Sequence, residues 1–207
     1  MKRLFLSLCI AFYTVPIVAA DNALSAFLDK LDSLQSSFTQ TLVDENGQPL
    51  ETSSGVLYLK QPGKFHWAYK DPYEQKIISD GESLWVYDVD LEQVTIRTMD
   101  ETMEQTPAGI ILGGTDIDAY FVQKNLGSIE GYDWIELTPR DPETQYNFIK
   151  LGFNGSNLGM MIIDDNLGQT TRIDFDQVNR NSTLDAGLFS LDLPANIDVI
   201  DERTKDD

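Results

Sequence analysis

The sequence predicts an α+β fold in which one antiparallel β-sheet, curled or barrel-like, dominates the chain. Three observations lead to this prediction. Short segments with a hydrophobic period of two follow one another at hairpin spacing, and turn dipeptides separate them. An amphipathic helical segment precedes these strands, and a short apolar helical segment interrupts them. No internal repeat or interdomain linker divides the chain, so we predict one domain.

The first 20 residues are typical of a secretory signal peptide. Lys2 and Arg3 precede a short apolar run, and Val18 to Ala20 supplies small residues for a cleavage site. The alternative is an uncleaved membrane anchor, but the run is short for a membrane span. We therefore predict a cleaved signal peptide at 1–20 and a mature domain at 21–207.

Cysteine and charge content exclude several classes of function. Cys9 is the only cysteine and lies in the predicted signal, so a mature chain beginning at Asp21 has no thiol for lipidation, disulfides or metal binding. The chain carries 34 acidic and 15 basic residues, a formal net charge of −19. A nucleic-acid partner is not expected, because phosphate binding needs a basic surface. The acidity indicates either solubility alone or electrostatic docking onto a basic partner.

The first predicted element is an amphipathic helix over residues 22 to about 37. Its apolar positions recur at steps of three and four residues: Leu24, Phe27, Leu28, Leu31 and Leu34. After this helix the hydrophobic period changes to two. Strands are predicted over 38–43, 56–60, 64–70, 76–79, 83–88, 94–98, 134–138, 146–153, 158–163 and 170–175. A last alternating stretch comprises Phe189, Leu191 and Leu193.

Turn dipeptides punctuate these strands. Asp80-Gly81 is a typical hairpin signal, Asn46-Gly47 lies in a predicted loop, and Asn154-Gly155 and residues 164–168 mark tight turns. Their spacing favours hairpin connections between consecutive strands.

Residues 99–122 break the strand pattern. Thr106-Pro107 is a good helix start, and Gly113-Gly114 ends a short apolar segment. A second short helix is predicted from Asp116 through Phe121. The apolar helix is interpreted either as a plug at one end of the barrel or as a movable lid over a ligand cavity.

Aromatic side chains form two stripes. Phe65, Trp67 and Tyr69 share one face of their strand, and Trp85 and Tyr87 share one face of another. Stripes of this kind usually belong to a core, but they also line pockets for apolar ligands. The period of two shows which residues share a face but not which face is turned inward.

Catalytic and metal-binding motifs do not emerge from the sequence. His66, the only histidine, is predicted to lie on the strand face opposite the aromatic stripe, as a surface residue, and no G-x-S-x-G motif accompanies it. The segment Asp164 to Asn166 resembles a calcium loop but lacks the EF-hand pattern, so a solvated turn is the better interpretation. We expect no enzyme activity, no cofactor and no metal.

Several short motifs, taken in order, resemble the outer-membrane lipoprotein carrier family, the periplasmic chaperones of lipoprotein localisation. Each motif alone is weak, but their order and spacing along nearly the whole mature chain are specific. They are Lys60 to Trp67, Ile78 to Gly81 with Leu84 to Tyr87, Glu92 to Thr95, Gln105 to Pro107, Asp165 to Thr170 and Phe189 to Pro194.

The resemblance implies a fold, a function and a set of partners. The family fold is a half-open β-barrel closed by short helices that form a lid over an apolar cavity. The implied function is a monomeric periplasmic carrier that receives lipoproteins from an inner-membrane ABC transporter complex and passes them to an outer-membrane receptor lipoprotein. The cavity candidates are Phe65, Trp67, Tyr69, Trp85 and Tyr87, and the lid candidates are Pro107, Ile110, Ile111 and Leu112.

One position departs from the family pattern. The family places an arginine before the proline of the Lys60 to Trp67 motif, where it is thought to latch the lid through backbone carbonyls. Here that residue is Gln61, which offers fewer donors and no charge. Gln61 is therefore a candidate for a weaker latch. Other hypotheses are that Lys60, Lys64 or Arg97 supplies the latch, or that the lid is not latched.

Two rival functions are weighed against the carrier. A related half-barrel sensor domain would bind lipoproteins or signalling partners, but such proteins usually have an additional domain. An exported esterase would need a nucleophile motif, which the sequence lacks.

Overall fold

The computed structural model describes residues 23–29, 31–99, 109, 117–193, 195 and 197–203. In these residues, twelve strands form one sheet. The strands are β1 (Ser33–Val43), β2 (Pro49–Lys60), β3 (Lys64–Asp71), β4 (Gln75–Asp80), β5 (Ser83–Asp88), β6 (Gln93–Thr98), β7 (Phe121–Ile129), β8 (Tyr132–Pro139), β9 (Tyr146–Asn154), β10 (Asn157–Asp165), β11 (Thr170–Arg180) and β12 (Asp198–Asp201). The short helices are α1 (Ala23–Leu28), α2 (Ile117–Tyr120) and a 3₁₀ helix (Ala186–Phe189).

The strand order explains how the sheet is assembled. It is β12-β6-β5-β4-β3-β2-β1-β11-β10-β9-β8-β7, so two runs of hairpins meet where β1 pairs with β11, with Phe38 opposite Phe175. The edges are β12 and β7, and the described sheet is not closed into a barrel. The predicted α+β fold with one open, curled sheet is confirmed.

The last strand corrects the prediction that the whole sheet is antiparallel. β12 pairs with β6 in parallel, with Val199 opposite Val94. A parallel neighbour requires a long crossover rather than a hairpin. The segment between β11 and β12 provides this crossover, and the sequence of β12 has too few apolar residues to reveal a strand by alternation.

The sheet is strongly curved around one apolar face. Trp67 on β3 and Phe175 on β11 are three strands apart, roughly 14 Å on a flat sheet. Their ring centroids are 6.4 Å apart. Their side chains can meet only because the strands bend toward each other, and we call the face that they share the concave face.

Helix α1 contributes to the core of the concave face but is shorter than predicted. Leu24 and Phe27 are buried, and the Phe27 ring lies 5.6 Å from that of Phe153 on β9. The predicted continuation to residue 37 is wrong, because β1 begins at Ser33. Leu34 pairs with Leu59 of β2 and is buried there, so strand pairing takes precedence over the helical spacing.

Two further predictions are corrected near the ends of the sheet. Phe121 does not end a helix but begins β7, directly after α2. The alternation of Phe189, Leu191 and Leu193 does not mark a strand. Phe189 ends the 3₁₀ helix, whose first turn is capped because Asp185 Oδ1 accepts a hydrogen bond from Gly187 N at 2.7 Å.

The turn at Asp80-Gly81 is confirmed as a hairpin. Asp80 Oδ1 accepts hydrogen bonds from the backbone N–H groups of Glu82 and Ser83 at 2.9 and 2.8 Å. Gly81 has a φ of +98°, which favours glycine because it has no side chain. The turn fixes the register of β4 against β5.

Candidate functional site

An aromatic cluster occupies the centre of the concave face. Phe65 and Trp67 are 2% and 6% exposed, and Tyr69 is half-buried. The Phe38 ring lies 5.0 Å from Trp67 and 5.2 Å from Tyr69. Pairs of this kind contribute about 0.5–1.5 kcal/mol each beyond their buried area. In this structure the cluster is a filled core rather than an open channel.

The register separates the five predicted cavity residues into two groups. Residues directly opposite in neighbouring strands lie on the same face. His66 is opposite Ile78, and Ile78 is opposite Trp85, so Trp85 lies on the face that carries His66. Tyr87, two residues further along β5, shares that face. The structure therefore places Phe65, Trp67 and Tyr69 together and puts Trp85 and Tyr87 on the convex face, behind them.

An open cavity of about 550 Å³ continues the concave face beyond Tyr69. Small-ligand pockets have volumes of about 300–1,000 Å³, so this space suits one chain or one head group rather than a large cargo. Its walls come from five strands and two loops. They include Gln40, Ser53, Tyr69, Gln75, Ile77 and Leu91.

Tyr69 joins the aromatic cluster to the cavity. Its hydroxyl donates a hydrogen bond to Gln40 Oε1 at 3.1 Å, so its polar end has a partner while its ring packs on Phe38. Burial raises the pKa of Tyr69, so the hydroxyl stays protonated at neutral pH. Tyr69 can therefore offer a neutral, amphipathic wall to a ligand.

Sequence reasoning missed Phe38, Phe175 and Ile77, which complete the concave face. Phe38 was assigned to a strand, but its neighbours on the sheet were not predicted. The pairing of β1 with β11 joins residues about 140 positions apart, and no local pattern reveals it. Ile77 and Ile78 are adjacent on β4, so their side chains lie on opposite faces of the sheet. Only the pairing of β4 with β3 shows that Ile77 is the isoleucine opposite Trp67.

His66 lies on the opposite face, as predicted, but it is not a surface residue. Both of its ring nitrogens are buried and have no hydrogen-bond partner among the described residues. The 3₁₀ helix packs on β3 and β4, and the Tyr58 ring lies 6.0 Å from the imidazole. Burial lowers the pKa of His66. A position within this packing on the convex face favours a structural role.

The lid cannot be compared with its prediction. Pro107, Ile110, Ile111 and Leu112 lie outside the described residues. Of the latch candidates, Gln61 donates its backbone N–H to Asp32 O at 2.9 Å. Arg97 Nε lies 2.7 Å from Glu202 Oε2, so its guanidinium already has an acidic partner.

Two residues hold the amino-terminal segment against β11. Arg180 donates hydrogen bonds to Phe27 O at 2.5 Å and to Ser156 O at 3.1 Å. Asn181 Oδ1 accepts a hydrogen bond from Asp32 N at 2.9 Å. The guanidinium also lies 5.2 Å from the centre of the Phe27 ring. The carboxyl end of α1 is thus fixed over the concave face.

Membrane and metal features of the described residues are limited. Of the helices described, none is both long and apolar enough to cross a membrane. In the same part of the chain, no group of three or more histidine, cysteine, aspartate or glutamate side chains is arranged to hold a metal ion.

Comparison with known proteins gives consistent matches along most of the chain. A family model described as outer membrane lipoprotein carrier protein LolA matches residues 29–192. An outer-membrane lipoprotein carrier protein of Methylococcus capsulatus is 39% identical over 95% of this chain and 94% of its own. One of Cupriavidus pinatubonensis is 37% identical over 96% and 98%. An uncharacterised conserved protein of Thermus thermophilus shares the fold, with a TM-score of 0.56, 12% identity and coverage of 87% of this chain and 97% of its own.

Proposed function

This chain belongs to the outer membrane lipoprotein carrier protein family, and from that premise we propose that it is a periplasmic chaperone that binds lipoprotein acyl chains. The family match confirms the resemblance predicted from the short motifs. We propose further that an inner-membrane ABC transporter complex supplies the lipoproteins and that an outer-membrane receptor lipoprotein accepts them. The relatives are named as carrier proteins, and we propose that this chain too acts without catalysis.

The observation that carries this proposal is the continuous apolar surface of the concave face. It runs from the aromatic cluster to an open cavity, so apolar chains could lie along it. Each buried CH₂ group is worth about 0.8 kcal/mol, so three chains of about 15 CH₂ groups gain roughly 35 kcal/mol from full shielding. A carrier of such chains needs an apolar surface of this kind.

Loading must enlarge the space that the structure presents. A cavity of about 550 Å³ lies within the range of about 300–1,000 Å³ for small-ligand pockets, whereas three acyl chains form a larger ligand. We propose that Phe65 and Trp67, now packed in the core, become cavity walls when the covering segments move. Tyr69 is the first contact, because it already borders the open cavity.

Trp85 and Tyr87 have a different place in this proposal. Both lie on the convex face, so they support the strands behind the aromatic cluster rather than contact the cargo. Their substitution should change stability more than lipoprotein binding.

A binding assay tests the proposed function. The processed protein is mixed with a detergent-solubilised triacylated lipoprotein, the detergent is removed, and a sizing column shows whether a soluble one-to-one complex forms. Ile77→Glu places a charge on the partly exposed cavity wall and should weaken the complex at least tenfold. Phe65→Glu should weaken it too, but circular dichroism must first show that this buried variant folds. Leu167→Glu, at a site that is 83% exposed in the β10–β11 turn and does not line the cavity, is the control and should bind normally.

Either of two results would contradict the proposal. One is a lipoprotein that aggregates while the carrier elutes alone, even when a lipoprotein-releasing transporter and ATP are supplied. The other is equal affinity of wild type and Ile77→Glu for the lipoprotein. That result would show that the acyl chains do not bind along the concave face.

The latch remains a separate proposal. We propose that Gln61 bonds to lid carbonyls near residues 109–112 and holds the lid more weakly than an arginine would, because an amide has fewer donors and no charge. Gln61→Arg should therefore slow lid opening, read by a fluorophore attached to the lid. Gln48→Arg, the same substitution at an exposed position in the β1–β2 turn, is the control. Unchanged opening in Gln61→Arg would exclude Gln61 as the latch.

A further inference from the structure

The open cavity combines apolar walls with an acidic rim. Tyr69 and Ile77 form apolar wall, whereas Glu51, Asp88 and Asp90 bring three carboxylates to the same space. The described residues that line the cavity include no lysine or arginine. A positive ligand group at this rim would therefore meet negative charge without competition from a protein cation lining the cavity.

The neighbouring cation does not neutralise the rim. Lys76 follows Gln75 on β4 and so points to the other face of the sheet. There its Nζ lies 3.0 Å from Glu74 Oε1 and 5.7 Å from the centre of the Tyr87 ring. Asp88 Oδ1 accepts a hydrogen bond from Leu91 N at 3.1 Å, which orients this carboxylate within the β5–β6 turn.

A serine in the cavity wall, without a hydrogen-bond partner among the described residues, gives an independent indication of a polar ligand. Ser53 is 6% exposed and contributes to the cavity wall opposite Gln40. Its hydroxyl forms no hydrogen bond with the residues that the structure describes. Because Ser53 borders the open cavity, a polar ligand atom at this wall can bond to its hydroxyl in place of water.

Resting on the proposed carrier function, we propose that this cavity receives the peptide segment next to the acylated cysteine of the cargo and prefers segments with positive charge. The acyl chains lie along the concave face from Ile77 toward Trp67, so the attached peptide leaves the protein at the acidic rim. Lysine or arginine side chains of the peptide then meet Glu51, Asp88 and Asp90, and its backbone N–H groups can donate to Ser53. An acidic segment is repelled.

Two synthetic lipopeptides test this preference. Both carry a triacylated cysteine, followed in one by a serine and four lysines and in the other by a serine and four glutamates. Their affinities for the processed protein are measured at low salt by tryptophan fluorescence. Because exposed charge pairs each contribute a factor of about two or more, the lysine peptide should bind roughly tenfold tighter. The difference should largely disappear at about 0.5 M NaCl, where charges are screened.

Matched variants locate the effect. The triple variant Glu51→Gln, Asp88→Asn, Asp90→Asn should lose the preference for the lysine peptide. The control variant carries Glu130→Gln, Glu143→Gln and Asp192→Asn, which remove the same charge at exposed sites that do not line the cavity. It should keep the preference, which excludes an effect of net charge alone.

The outcomes separate this inference from the proposed function. Strong but equal binding of both lipopeptides overturns the charge preference and leaves the carrier function standing. A preference that survives in the cavity triple variant also overturns the inference, because the selecting charges then lie elsewhere. If neither lipopeptide binds, the proposed function and this inference both fail.

Discussion

Gly55 lies where two neighbouring strands leave no room for a side chain. A Cβ built there would lie 1.9 Å from the Ala68 carbonyl oxygen and 2.9 Å from Phe38 Cε1. Gly55→Ala should therefore destabilise the protein by about 3 kcal/mol, because β2 and β3 would have to separate. Urea unfolding monitored by tryptophan fluorescence measures the change.

Gly159 provides the matched comparison for Gly55. A Cβ at Gly159 would lie 2.6 Å from Tyr132 Cε1, which belongs to a half-exposed side chain that can turn away. Gly159→Ala should cost only about 1 kcal/mol. If both alanine variants unfold at the same urea concentration, contact with backbone is not what requires glycine at position 55.

His66 should give the protein a specific dependence on pH. Burial lowers its pKa below the ordinary value of 6.5, and the nearby Leu188 backbone, although it forms no hydrogen bond of normal geometry with the ring, opposes this shift. The folded state therefore favours the neutral imidazole. The stabilisation that comes from keeping His66 neutral is fully present above a pH of about 6.5. It is lost as the pH falls toward and through the lowered pKa of the folded state. When the pH is lowered from 7.5 to 5, the melting temperature of His66→Phe should fall less than that of wild type. Equal decreases in the two proteins would contradict this prediction.

At the scale of residues, hydrophobic alternation shows which side chains of one strand share a face, but not how neighbouring strands are aligned. The period of two correctly grouped Phe65, Trp67 and Tyr69, because residues on one strand share a face by geometry alone. The turn at Asp80-Gly81 fixes β5 against β4, but the β3–β4 connection is longer and carries no hairpin signal. The sequence therefore left open whether Trp85 lies beside Trp67 or behind it, and pairing through Ile78 decides the question.

At the scale of elements, Arg180 bonds the carboxyl end of helix α1 to the sheet. Arg180 donates hydrogen bonds to Phe27 O and Ser156 O, and positive charge at the carboxyl end of a helix is favourable. Arg180→Lys keeps the charge but loses the forked geometry. It should lower the local stability of α1 by about 1–2 kcal/mol, measured by hydrogen exchange of the amides of residues 23–31.

Arg172 supplies the control for that experiment. Its guanidinium lies 2.7 Å from Asp174 Oδ1 on the same strand, β11. Arg172→Lys should leave exchange in α1 unchanged. Faster exchange in both variants would indicate a general loosening of β11. Unchanged exchange in Arg180→Lys would show that the other contacts, such as Phe27–Phe153, hold the helix without the arginine fork.

Local signals predicted elements well, and distant pairing explains the errors. Turns at Asp80-Gly81 and Asn154-Gly155 were correct, because their backbone conformations are set by the turn residues themselves. The helix predicted to residue 37 was too long because Leu34 gains a partner, Leu59, that only the folded sheet provides. β12 was missed because its pairing with β6 depends on a crossover.

At the scale of the whole molecule, the two faces of the sheet differ in what they pack against. The concave face gathers the main core, helix α1 and the open cavity, so the proposed acyl-chain binding would use the same apolar surface as folding. The convex face near His66 is covered by the 3₁₀ helix, which leads toward β12 at the sheet edge. A ligand that spreads the concave face can thus leave the packing behind β3 and β4 in place.

The net charge of the whole molecule also affects its stability. A formal charge of −19 on 207 residues produces self-repulsion in the compact state. The Debye length shortens from about 30 Å at 0.01 M to about 10 Å at 0.1 M ionic strength, so added NaCl should relieve this repulsion. We expect the melting temperature to rise by several degrees between about 10 and 300 mM NaCl, as measured by calorimetry; sulfate is avoided because it strengthens apolar burial by itself.

The control variant with Glu130→Gln, Glu143→Gln and Asp192→Asn should show a smaller rise, because it carries three fewer negative charges. A melting temperature that stays constant or falls with NaCl would mean that local ion pairs such as Arg97–Glu202 outweigh the repulsion, since screening weakens those pairs as well.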